Sequence, residues 1–99
     1  MNCLIRFRLG LTEDHPTIKP YLEDRWAALP DYQQDVEVSL GLLMTVHARL
    51  SYMLDHMSPS DFARTIYHPE QKRTIRLDEL LALYAWHCDH HYAHVMLVK

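Results

Sequence analysis

"LDELLALYAWHCDHHYAHVMLV", residues 77–98, is the stretch from which the rest of the chain is read. Its inward stripe runs Leu80, Leu83 or Tyr84, His87, His91, His94, Val98. That spacing of three and four residues defines one face of an α-helix. Asp78 and Glu79 suit the positively polarised first turn, and Lys99 suits the negative end. Half of the chain's eight histidines fall inside the stretch, at positions 87, 90, 91 and 94. On a helix they share one stripe. A stripe of imidazoles is what a metal site needs, and a histidine-rich polar face has the same pattern.

Upstream, residues 35–57 form a second strong helix. Val36, Leu40, Leu43, His47, Leu50 and Leu54 alternate in steps of four and three, the seam of a helix in a bundle. His47 stands in the middle of that seam. "SPSDF" ends this helix and begins a short one, with Ser58 as N-cap, Pro59 at the first position and Asp61 three residues on. "YHPEQKRTIRL", residues 67–77, reads as a connection: His68-Pro69 disfavours helix and the charges keep it at the surface. Residues 2–14 fit either a short helix or a strand. Residues 15–32 read as an ordered loop with a helical turn near 22–29, whose Tyr21 and Trp26 are expected to tuck against the body. His15, His56 and His68 fall in loops or at helix ends and are expected at the surface. The elements predict an all-α protein.

The totals narrow the possibilities further. Ninety-nine residues make one domain, 1–99, with no room for a second core. A formal charge of −3 gives no electrostatic reason to bind nucleic acid or an anionic membrane. No apolar run is long enough to span a bilayer. Cys3 and Cys88 form no disulfide framework, and eight histidines beside two cysteines suit an intracellular metal protein. The expected location is cytoplasmic.

Two imidazoles one helical turn apart can reach one ion. Their Cβ atoms lie about 5–6 Å apart, and zinc–nitrogen bonds are about 2.0–2.1 Å. Two such pairs exist, His87 with His91 and His90 with His94, and spacing alone does not choose between them. Continuation of the apolar stripe favours His87 and His91 as inward. A catalytic metal usually takes three protein ligands and keeps an open position. His47, on the facing seam, is the candidate for the third, although a lone histidine in an apolar stripe is more often a hydrogen-bonded core residue. Cys88 points about 100° away from His87 and reads as a packed or partly exposed thiol. Asp89 is placed to orient a neighbouring imidazole or to be a solvated surface group. Tyr84 and Trp86 read as packing residues. No catalytic residue is singled out.

The segments "IRFRLGLTEDHPTIKPYLEDRWAAL" (5–29), "VHARL" (46–50) and "FARTIYHPEQKRTIRLDELLALYAWHCDHHYAHV" (62–95) resemble the metal-dependent hydrolases of the DinB-like superfamily. Among named enzymes the chain also resembles the bacillithiol S-transferases. The resemblance covers nearly the whole chain, and "YHPE" followed by "LYAWHCDHHYAH" is far more specific than a bare HxxxH. It implies a four-helix bundle holding a divalent metal, zinc or nickel, through three histidines. The two in the last helix match His87 and His91. The implied activity is hydrolysis of a small-molecule substrate, or transfer of a low-molecular-weight thiol to an electrophile. The family's remaining histidine belongs to a motif of the form HHxADSH that precedes the point matching Met1. The resemblance therefore implies a bundle lacking its first helix and the start of the second.

Two expectations follow. The third ligand is His47, a partner chain or water. An apolar stripe left facing water favours association through it, and a homodimer or larger species is predicted. The alternative reading is a non-catalytic helical remnant or dimerisation module without metal.

Overall fold

The structure, a computed structural model, describes residues 1–98, with the backbone alone described at 89–92, 94, 95, 97 and 98. Lys99, expected to favour the end of the last helix, lies outside the described residues. Helix α1 spans Asn2–Thr12, α2 Glu23–Ala27, α3 Val36–Asp55, α4 Pro59–Phe62 and α5 Leu77–Val98, with a 3₁₀ turn at Pro30–Gln33. A two-stranded antiparallel hairpin, β1 Thr65–His68 and β2 Arg73–Arg76, sits between α4 and α5.

Local chemistry accounts for the helices. The Asp35 carboxylate accepts the Glu37 N–H at 3.3 Å at the start of α3. Ser58 and Asp61 close a full capping box around α4: the Ser58 hydroxyl accepts the Asp61 N–H at 3.2 Å, and the Ser58 N–H donates to the Asp61 carboxylate at 2.9 Å. The segment with two readings, 2–14, is helical because Phe7 and Gly10 fall on one helical face against the core. Its C-terminal carbonyls find a partner far along the chain. Arg64 donates through Nε to the Gly10 carbonyl at 2.7 Å and through Nη2 to the Glu13 carbonyl at 3.2 Å.

The connection expected at 67–77 is instead part of the hairpin. Thr65 pairs with Arg76, Ile66 with Ile75, Tyr67 with Thr74 and His68 with Arg73. Its period is two: Ile66, His68, Ile75 and Leu77 are buried, while the charged residues between them point outward. Lys72 takes a positive φ of 50° in the turn. An isolated two-stranded hairpin is marginal in water, and this one leans on its neighbours. The Ile18 N–H donates to the Tyr67 carbonyl and the Tyr67 N–H to the Pro16 carbonyl, at 3.0 and 2.9 Å. His68, expected at the surface, is 8% exposed because it shares a face with Ile66. Its Nδ1 lies 3.4 Å from the Gln71 N–H.

The core comprises Phe7, Ile18, Ile66, Ile75, Leu77 and Leu80. It therefore sits where α1, the hairpin and the start of α5 meet. On α5 the inward stripe passes from Leu80 to Tyr84, while Leu83 is 41% exposed. Among the described residues, helix α3 joins this core through its last turns, at Leu50, Met53 and Leu54, and Met57 just past its end packs there too. The front of its seam faces solvent: Val36 is 65% exposed, and Leu40 and Leu43 are each 51% exposed. No described element packs over those turns. Trp26 is also largely outside; it leans on half-buried Tyr21 with ring centroids 4.8 Å apart.

Candidate metal centre

Helix α5 is continuous from Leu77 to Val98, so His87 and His91 stand one turn apart on regular helical backbone. His87 is exposed and lies three residues beyond Tyr84, continuing the stripe that reaches the core at Leu80. The side chains of His91, His90, His94 and Asp89 lie outside the described residues, so the choice between the two histidine pairs rests on the stripe alone. His47 is on α3, one turn before half-buried Leu50, and is exposed. Among the described residues no three His, Cys, Asp or Glu side chains gather into a metal site. The helix fits two imidazole donors, which is fewer than the three a catalytic divalent metal usually takes.

Tyr84 is half-buried, and its hydroxyl receives a hydrogen bond from Arg6 Nη1 at 3.1 Å across 78 residues of sequence. Burial pushes the Tyr84 phenol up, and the Arg6 guanidinium opposes that shift. The phenol is therefore a neutral hydroxyl near neutral pH. Cys3, on the first turn of α1, is half-buried; burial pushes its thiol up to about 11, the charge of the chain's amino terminus lowers it, and Cys88 raises it. Cys88 is exposed, in keeping with a surface thiol. His15 and His56 are exposed as expected, with His15 Nδ1 2.7 Å from the Thr65 hydroxyl and His56 Nδ1 2.8 Å from the Tyr52 carbonyl.

Sequence reasoning missed Arg6 and its tie to Tyr84. The signal was weak. Asn2, Ile5, Arg6 and Leu9 have helical spacing, but that reading required choosing helix over strand for 2–14.

A hairpin clamped between α1 and a long histidine-bearing helix, with a second long helix left half-packed, defines a helical-bundle protein with a helix-borne pair of potential metal ligands. Comparison with known proteins gives that class a family. The chain matches the DinB superfamily over residues 2–95 and belongs to it. It is 47% identical over 99 residues to a "putative metal-dependent hydrolase" of Bacillus mycoides (strain KBAB4), covering 100% of this chain and 57% of that protein. A "putative metal-dependent hydrolase" of Oceanobacillus iheyensis is 44% identical over 95 residues, 96% of this chain and 55% of the relative. Among solved structures it is similar to YfiT from Bacillus subtilis, "a probable metal-dependent hydrolase with an unusual four-helix bundle topology". The TM-score is 0.90 at 43% identity, over 97% of this chain and 55% of that one. The chain thus spans little more than half the length of these relatives. Among the described residues no helix is long and apolar enough to cross a membrane.

Proposed function

We propose that the chain supplies the helix-borne histidine pair of a metal-dependent hydrolase: His87 and His91 hold one divalent ion, in the cytoplasm, for work on a small-molecule substrate. The observation that carries this reading is their placement four residues apart on uninterrupted α5. The names of the relatives support it. Zinc and nickel both suit imidazole donors. When bound, such an ion supplies Lewis acidity that favours the anionic form of a water or thiol nucleophile near neutral pH.

His47 is the candidate for a third donor, from a helix whose apolar seam it shares. Asp89, beside the pair in sequence, suits a carboxylate that fixes an imidazole's orientation. With a low-molecular-weight thiol in place of water, the same centre serves an S-transferase. Hydrolysis is preferred because it is the activity for which the relatives are named.

The test is metal content by mass spectrometry after loading with zinc or nickel and dialysis. Near-stoichiometric retention is expected, falling roughly tenfold or more in His87→Ala and in His91→Ala. A smaller loss in His47→Ala would place that residue at the ion. Wild-type protein that emerges metal-free, or variants that retain full metal, would reject the site and leave a non-catalytic helical module.

A further inference from the structure

A cleft of about 460 Å³ runs between α1 and the segment 18–26. One wall is the α1 stripe of Asn2, Ile5, Arg6 and Leu9, and the facing wall carries Tyr21 and Trp26. Its volume falls within the range of small-molecule sites, which combine apolar walls with a few convergent polar groups. The charge pattern is one-sided. Three of the chain's ten basic side chains, Arg6, Lys19 and Arg25, line it, and among the described residues none of the thirteen acidic ones does. Glu23 and Asp24 precede Arg25 on α2 without lining the cleft. The ion pairs of the described residues, Arg73–Glu79 and Arg76–Asp78, lie at the hairpin instead. Arg6 is held at the α5 side by Tyr84, whose neutral phenol brings no negative charge to the guanidinium.

We propose that this cleft binds a small ligand with a flat apolar body and an acidic group, the body against Tyr21 and Trp26 and the acid among Arg6, Lys19 and Arg25. Guanidinium groups match the geometry of both carboxylate and phosphate, and aromatic faces match a planar body. This site does not depend on the metal reading. It offers recognition without a nucleophile of its own.

The probes are 2-naphthoate, 2-naphthyl phosphate and uncharged 2-naphthamide, titrated in the presence of EDTA. The readout is the Trp26 indole N–H resonance, assigned by its persistence in Trp86→Phe. An acid is expected to bind at least about tenfold more tightly than the amide. The tighter of the two acids identifies the ligand as a carboxylate or a phosphate. Exposed Lys19→Gln and Arg25→Gln together should bring the acid's affinity down to that of the amide, while His87→Ala leaves it unchanged. The proposal is overturned if acid and amide bind alike, if the double variant keeps the preference, if His87→Ala abolishes it, or if the Trp26 resonance does not move.

Discussion

Gly10 and Gly41 both sit inside helices, and the same substitution should move stability in opposite directions at the two sites. Replacing an interior helical glycine with alanine favours folding by about 0.8–1.0 kcal/mol from helix propensity alone. At Gly41, on α3, an added Cβ meets nothing within 4 Å, so that gain is kept. At Gly10, on α1, the Cβ would stand 2.8 Å from Leu77 Cδ2, 3.2 Å from Leu77 Cδ1 and 3.3 Å from Ile66 Cγ2. A leucine methyl moves cheaply only where there is room. Leu77 is 0% exposed within the core, and its N–H is bonded to the Arg64 carbonyl at 2.8 Å. Ile66 is also fully buried and is stiff at χ1. Overpacking of this kind costs about 1–3 kcal/mol, enough to cancel the propensity gain or exceed it. Gly41→Ala should therefore be stabilised by nearly 1 kcal/mol, and Gly10→Ala should lie about 1–3 kcal/mol below it. Thermal melts at 222 nm and matched protein concentration measure the gap. For a domain of this size each kcal/mol is worth roughly 4–8 °C. Equal stabilisation in the two variants would refute the claim that α1 approaches Leu77 this closely.

Three further outcomes follow from the packing. Ser58→Ala removes the α4 cap and should cost about 1 kcal/mol by urea denaturation. The Ser58 backbone N–H, and then its hydroxyl, hold the Asp61 carboxyl below the usual range. Stability from that contact is present above Asp61's unfolded value and lost as pH falls through the lowered folded one, so the cost of Asp61→Asn relative to wild type should shrink in acid; an undiminished gap there would count against it. Arg64→Met leaves the α1 carbonyl of Gly10 without its side-chain partner and should destabilise by about 1 kcal/mol; an unchanged urea midpoint would argue against the clamp. In Cys88→Ser protein, the Cys3 thiol, raised to about 11, is about one part in a thousand thiolate at pH 8. Iodoacetamide labelling should be slow there and accelerate as pH climbs toward 11, whereas a rate profile centred near 8–9 would contradict the burial of Cys3.

The helices were legible wherever the information was local. The Ser58–Pro59–Asp61 cap is built as its residues suggest. Helices α3 and α5 follow their periodicity to within a residue or two. The His87–His91 spacing is a property of one helix and needs no partner to be seen. The α3 seam was legible too, but its front half has no described partner, so periodicity there reports a capacity to pack rather than a contact.

The hairpin was hidden because Lys72, Arg73 and Arg76 read as surface charge, while Ile66 and Ile75 are separated in sequence by the turn between them. Caps and helical faces depend on neighbours within about four residues, and that range is written in the order of the amino acids. The burial of His68, the close approach of Gly10 to Leu77 and the tie between Arg6 and Tyr84 each depend on other parts of the chain. Those contacts exist only once α1, the hairpin and α5 close on a common core. Residues 67 or 78 positions apart then meet by excluded volume and hydrogen-bond geometry, which no local pattern encodes.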